Sequence, residues 1–197
     1  MSGTLTRADI IDGIREIIVR LRAAGNSATI QIVGGAAIAL TIDADRPATV
    51  DIDGPITPPE DVAAAAAEIA RERGWPITWV NDEAAMFLPD GMGRSAEWVT
   101  LYDQDGIVVQ AASPAMLLAM KLRALERRGP RDADDVAVLL LVLEIRTAEE
   151  AEDLLNDFFP AEDLTPRTFE RVRRILDAGP RDLPHRPAAP DFSEKPG

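Results

Sequence analysis

Apolar residues recur at helical intervals in "TRADIIDGIREIIVRLRAAGN", where Ile10, Ile11, Ile14, Ile17, Ile18 and Leu21 share a face and Gly25 and Asn26 follow. That spacing predicts an amphipathic helix stopped by a glycine. "ATIQIV" predicts a strand running into the Gly34-Gly35 turn, and "AAIAL" a short helix after it. Alternation returns at "TVDID", with Val50 and Ile52 on one face and Asp51 and Asp53 on the other. "PPEDVAAAAAEIARERG" opens on prolines and acids and closes on arginines and a glycine, the order that a helix dipole favours. "WPITWV" and "EWVTLYDQDGIVVQAA" predict further strands, the second a hairpin turning near "DQDG". From Ser113 onward every periodic segment has helical spacing. Ser113-Pro114, Thr165-Pro166 and a capping box of Thr147 with Glu150 mark three helix starts.

The predicted class is α+β, with a mixed sheet flanked by helices over residues 1–112 and a C-terminal helical bundle over 113–179. Residues 180–197, "PRDLPHRPAAPDFSEKPG", hold five prolines and no periodicity, which predicts a flexible tail. His185 lies in that tail, so neither a metal nor a catalytic role is expected of it.

Composition narrows the setting. The chain has 197 residues, 46% apolar, which suffices for a sizeable core. It has no cysteine, so disulfides and cysteine-ligated zinc are excluded. "MSGTLTRADI" lacks the basic start and apolar stretch of a signal peptide, and "VAVLLLVLEI" is too short to span a bilayer. A soluble, cytoplasmic protein without a membrane partner is expected. The net charge of −13 opposes unassisted nucleic-acid binding. The charge is uneven, however: residues 147–163 carry seven acids and no base. Bases gather at Lys121, Arg123, Arg127, Arg128 and Arg131, and again at Arg167, Arg171, Arg173 and Arg174. Solvated helix faces explain this, and so does a local basic surface for a phosphate-bearing partner.

Four features carry candidate chemistry. A strand, the Gly34-Gly35 pair and a helix start would leave backbone N–H groups open to an anion, although a tight connection also uses glycine. Asp51 and Asp53 stand at i and i+2, which puts their Cα atoms about 6.5–7 Å apart on one strand face. Such a pair can share a divalent cation, or can face solvent on an edge strand. Lys121 has Leu117, Leu118, Ala124 and Leu125 as helical neighbours, so it either snorkels to water or points at an anion. In "RGPRDADDVAVLL", Asp132 and Asp135 either stabilise a helix start, hold Lys121 or accept a proton. Trp75, Trp79, Trp98 and Tyr102 suit the core better than base stacking.

Taken together, "IVGGAAIAL", "RPATVDID", "WVNDEAAMFLP", "ASPAMLLAMKLRAL" and "RDADDVAVLL" resemble, in that order, small AbiEii-type nucleotidyltransferases. These are toxin-like members of the DNA polymerase β-like superfamily, and the resemblance spans residues 9–176. It implies a nucleotidyltransferase-like mixed sheet with a helical domain behind it. The implied reaction is Mg2+-dependent transfer of an NMP from an NTP to an RNA acceptor, such as a tRNA 3′ end, with a cognate antitoxin protein as a further partner. By the same resemblance Gly34, Gly35 and Arg46 would hold the triphosphate, Asp51 and Asp53 the Mg2+, and Lys121 a phosphate. Asp132 or Asp135 would support the lysine or act as base. The alternative is a catalytically degenerate member that binds a nucleotide or a protein. Three departures bear on this choice. Gly35 stands where serine is common, "GPITPP" follows Asp53 in place of an apolar strand, and "GIVVQAA" offers Gln110 in place of a third carboxylate.

Overall fold

The computed structural model describes residues 3–89, 91–128, 132–160, 162–178 and 182–193, without the side chains of 126–128. Arg131 and the expected start of the tail at residue 180 therefore lie outside the described residues, as do the side chains of Arg127 and Arg128. The chain is α+β and forms two compact units. The first is Met1–Met86 with Trp98–Ala111 and Arg186–Gly197, and the second is Phe87–Glu97 with Ala112–His185. One crossing falls beside the expected boundary at 112. The expectation of three consecutive segments did not include the return of residues 87–97 and 186–197 to the other unit.

In the first unit, α1 (Arg7–Ala24) begins at a capping box in which the Thr6 side chain accepts from Asp9 N–H and Asp9 accepts from Thr6 N–H. It ends at Gly25, whose φ of 72° is the left-handed value a glycine stop requires. Its buried stripe of Ile10, Ile14, Ile17, Ile18 and Leu21 packs on α3 (Pro59–Arg73) and α2 (Gly34–Thr41). The main sheet has the order β3-β1-β6-β5, with β1 Ala28–Ile32, β3 Ile56–Thr57, β5 Trp98–Gln104 and β6 Ile107–Ala112. β1 runs antiparallel to β3 and parallel to β6, so the sheet is mixed. β5 and β6 form the expected hairpin, turning at Asp105 and Gly106, whose φ values of 54° and 76° suit a two-residue turn.

Two expected strands shrink. "TVDID" contributes only β2 (Ile52–Asp53), which pairs in parallel with β4 (Val80–Asn81), the only strand left of "WPITWV". The rest of that segment turns to bury Trp79, whose Nε1 donates to the Ala66 carbonyl on α3 at 2.8 Å. Trp79 also meets Trp75 edge-on at 4.9 Å. Trp79 and Tyr102 are buried, and all three tryptophans belong to the first unit.

The tail was expected to be flexible. Residues 186–193 instead lie against the first unit without helix or strand. Arg7 and Arg15 donate to the Ala188 and Asp191 carbonyls at 2.7 and 2.5 Å. Phe192 is 2% exposed and meets the Tyr102 ring edge-on. Burial of one aromatic and bonds to carbonyls outside any ladder hold an extended segment that periodicity could not reveal.

The second unit is a helical bundle in which α4 (Pro114–Arg128) packs on α5 (Ala133–Val142), α6 (Ala148–Phe158) and α7 (Pro166–Asp177). Thr147 with Glu150 and Thr165 cap α6 and α7. Ser113 Oγ accepts from Met116 N–H at 3.1 Å and donates to Glu97 at 2.8 Å, which ties residues 87–97 to the start of α4. No helix among the described residues is long and apolar enough to cross a membrane.

Two consequences follow. A Cβ on Gly13 would stand 2.6 Å from Cη2 of the buried Trp79 ring. Gly13→Ala is therefore expected to destabilise by about 1–3 kcal/mol in urea denaturation, despite alanine's better helix propensity. At Glu97, burial pulls the carboxyl up, but hydrogen bonds from Arg94 and Ser113 and the Arg94 charge outweigh it and leave it below its ordinary 4.5. A lowered carboxylate stabilises above its unfolded value and loses that contribution as pH falls through the lowered one. Glu97→Gln should flatten the acid limb of stability below about pH 4.5, read by ellipticity against pH.

Candidate functional site

β1 delivers the chain to Val33, and α2 begins at once on Gly34 with φ 64°, a value that L side chains rarely adopt. Val33, the N-cap of α2, is apolar and makes no side-chain cap hydrogen bond. The helix is apolar on every side and buried from Ala36 to Leu40. Gly35 is glycine for a different reason. A Cβ there would lie 2.6 Å from Arg46 Nη2 and 2.7 Å from Cζ. The guanidinium thus rests against the first turn of α2, and the serine common in the resembling family would displace it. A cation beside the positive end of a helix makes a local field suited to an anion.

The acids reach the same place through the backbone. Val33 N–H donates to the Asp53 carbonyl at 2.8 Å, Ile52 N–H to Trp79 at 2.7 Å, and Gly54 N–H to Asn81 at 3.1 Å. Ile52 is buried between the half-buried Asp51 and Asp53, as strand alternation predicts. Gly54 follows β2 with φ 150°, and a Cβ there would stand 1.9 Å from the Gln31 carbonyl oxygen, so the position takes only glycine. The "GPITPP" segment therefore runs flush along β1: the Val33–Asp53 bridge, the Gln31 N–H to Pro55 carbonyl bond and the β3 pairs Ile30–Ile56 and Thr29–Thr57 follow one antiparallel register. Gly34, Gly35, Arg46, Asp51 and Asp53 all belong to the first unit, where Arg46 lies against Gly35 and the backbone of Asp53 is bonded to Val33.

Among the described residues no three His, Cys, Asp or Glu side chains group closely enough to cage a metal. Mg2+ usually takes one or two carboxylates and completes its shell with water and substrate phosphates. The Asp51–Asp53 pair fits that donor set. Gln110 gives no third carboxylate. Its Oε1 accepts from Gln31 at 2.9 Å and its Nε2 donates to Thr100 at 3.3 Å, an amide bridge across the sheet.

The second unit gathers the other three candidates. Lys121 Nζ lies 2.5 Å from Asp132 Oδ1 and 2.8 Å from Asp135 Oδ2. The three side chains are 13%, 9% and 8% exposed, so the lysine neither snorkels nor stays unpaired. Asp132 sits at the α5 N-cap yet makes no capping hydrogen bond, because its carboxylate turns to Lys121. Asp134, exposed in the first turn, remains to complement the helix dipole. The triad carries one net negative charge. Asp132 Oδ2 is buried without a hydrogen-bond partner among the described residues.

Several of the bases named in the sequence have partners within the second unit. Arg123 pairs with Glu162, Arg173 and Arg174 pair with Glu170, and Arg171 donates to the Leu125 carbonyl at 2.6 Å. Sequence reasoning flagged "GPITPP" after Asp53 only as a departure and did not foresee the close approach of Gly54 to the Gln31 carbonyl.

Lys121→Met would leave two buried carboxylates facing each other, a loss expected to cost about 3–5 kcal/mol. The triple variant with Asp132→Asn and Asp135→Asn should recover most of it, as measured by chemical denaturation of each protein. Comparison of the chain with protein-family models, curated proteins and solved structures finds no match in any of the three.

Proposed function

We propose that this chain is an AbiEii-type, Mg2+-dependent nucleotidyltransferase that moves an NMP from an NTP to a hydroxyl of an RNA acceptor, with an antitoxin protein as its natural restraint. The observation that supports this reading best is the Arg46 guanidinium against Gly35 at the uncapped start of α2, one hydrogen bond from the acid-bearing strand. Two positive elements beside a strand that carries two carboxylates suit a metal-bound triphosphate better than either partner alone.

Each residue then has a role. The first-turn N–H groups of α2 and Arg46 bind the triphosphate and orient its α-phosphorus for attack. Asp51 and Asp53 would hold Mg2+, which when bound neutralises charge on the phosphates. In the second unit Asp132 and Asp135 hold the Lys121 ammonium through two of its three N–H donors. The acceptor proton passes to water. The acceptor oxygen forms the new bond to the α-phosphorus, the bond to the β-bridging oxygen breaks, and pyrophosphate leaves.

Gln110 favours a second reading. Its amide, placed where a third carboxylate is usual, is spent on cross-strand bonds, as it would be in a degenerate member that binds a nucleotide or a protein without turnover. Labelled NTPs with Mg2+ and total tRNA separate the two. Transfer of label that falls about 100- to 1,000-fold in Asp51→Ala is expected. Mg2+-dependent NTP binding without transfer would select the binding module, and absence of both would end the nucleotide reading.

A further inference from the structure

Arg7 joins two parts of the first unit that are far apart in sequence. Its Nε donates to the Ala39 carbonyl at 3.0 Å and its Nη2 to the Ala188 carbonyl at 2.7 Å. Ala39 lies in the last turn of α2, where carbonyls lack helical partners and a cation opposes the negative end of the dipole. The same guanidinium therefore grips the far end of the helix whose near end is the Gly34-Gly35 turn. At eight residues α2 is too short to persist on propensity alone, so its rigidity comes from what packs on it.

The segment on the other side of Arg7 has few attachments. Residues 186–193 form no helix or strand. Besides Ala188 they are fixed by Arg15 on the Asp191 carbonyl at 2.5 Å and by Phe192, edge-on to Tyr102 at 6.3 Å. Asp191 also turns the chain locally, accepting from Ser193 N–H at 2.9 Å and Ser193 Oγ at 2.6 Å. A segment with one buried anchor and isolated backbone bonds opens at lower free energy than the packed helices beside it.

We propose that residues 186–193 are a releasable brace for α2. Seated, the segment fixes Arg7 on Ala39 and stiffens the helix. Released, it leaves Arg7 with one partner and loosens the Gly34-Gly35 turn. The consequence for ligand binding rests on the triphosphate reading above, whereas the mechanical coupling does not.

The test uses the full chain with either Phe192→Ala or Arg15→Met, both of which weaken the segment's seat without altering Arg7 or α2. Amide hydrogen exchange is followed peptide by peptide, and Mg2+-dependent ATP binding is measured alongside. Both variants should speed exchange in α2 about tenfold while α3 keeps its wild-type rate, and ATP affinity should fall. Unchanged exchange in α2 while residues 186–193 exchange faster would overturn the brace, as would equal acceleration in α3. Faster exchange confined to α2 in a protein whose wild type binds no ATP would uphold the brace and remove the nucleotide reading instead.

Discussion

The hydrogen bond from Val33 N–H to the Asp53 carbonyl is the constraint on which the first unit's candidate site depends. It fastens a two-residue strand, too short to hold itself, to the residue just before the glycine turn. Arg46 lies on the connection between α2 and that strand, so fixing both ends of the connection restricts where its guanidinium can go. Gly54 then admits a backbone carbonyl that any side chain would block, and Gly35 leaves room for a guanidinium that a side chain would displace. The site is built from close backbone passages more than from side-chain packing.

The second unit handles charge differently. Three ionic side chains share a mostly apolar environment between α4 and α5, and their bonds to one another offset the loss of water. Two acids to one lysine is not the composition that stability alone would select, because the surplus carboxylate oxygen has no partner among the described residues.

Much of this was readable in the residues. The amphipathic stripe of α1, the capping residues of α6 and α7 and the hairpin at Asp105-Gly106 are local signals, and local physics decided them. Lys121 stood out because Leu117, Leu118 and Leu125 surround it on one helix face, and its two partners were among the candidates named for it. What escaped depended on distant partners. Nothing near Asp53 announces that Gly54 will run flush against the Gln31 carbonyl, and nothing in "WPITWV" says that the Trp79 ring will be claimed by the Ala66 carbonyl and the strand begin only at Val80. Proline content argued for a loose C-terminus, yet Phe192 is buried among residues some ninety positions earlier in the chain. The family resemblance rests on the order of motifs, which periodicity cannot supply.

The distribution of tryptophan has a spectroscopic corollary. Trp75, Trp79 and Trp98 all fall in the first unit, and the helical unit has only phenylalanine among its aromatic side chains. Indole emission therefore watches the glycine-turn half of the molecule alone, while far-ultraviolet ellipticity draws on the helices of both halves. Superimposable melts by the two signals would mark one cooperative block, and separated melts would mark two.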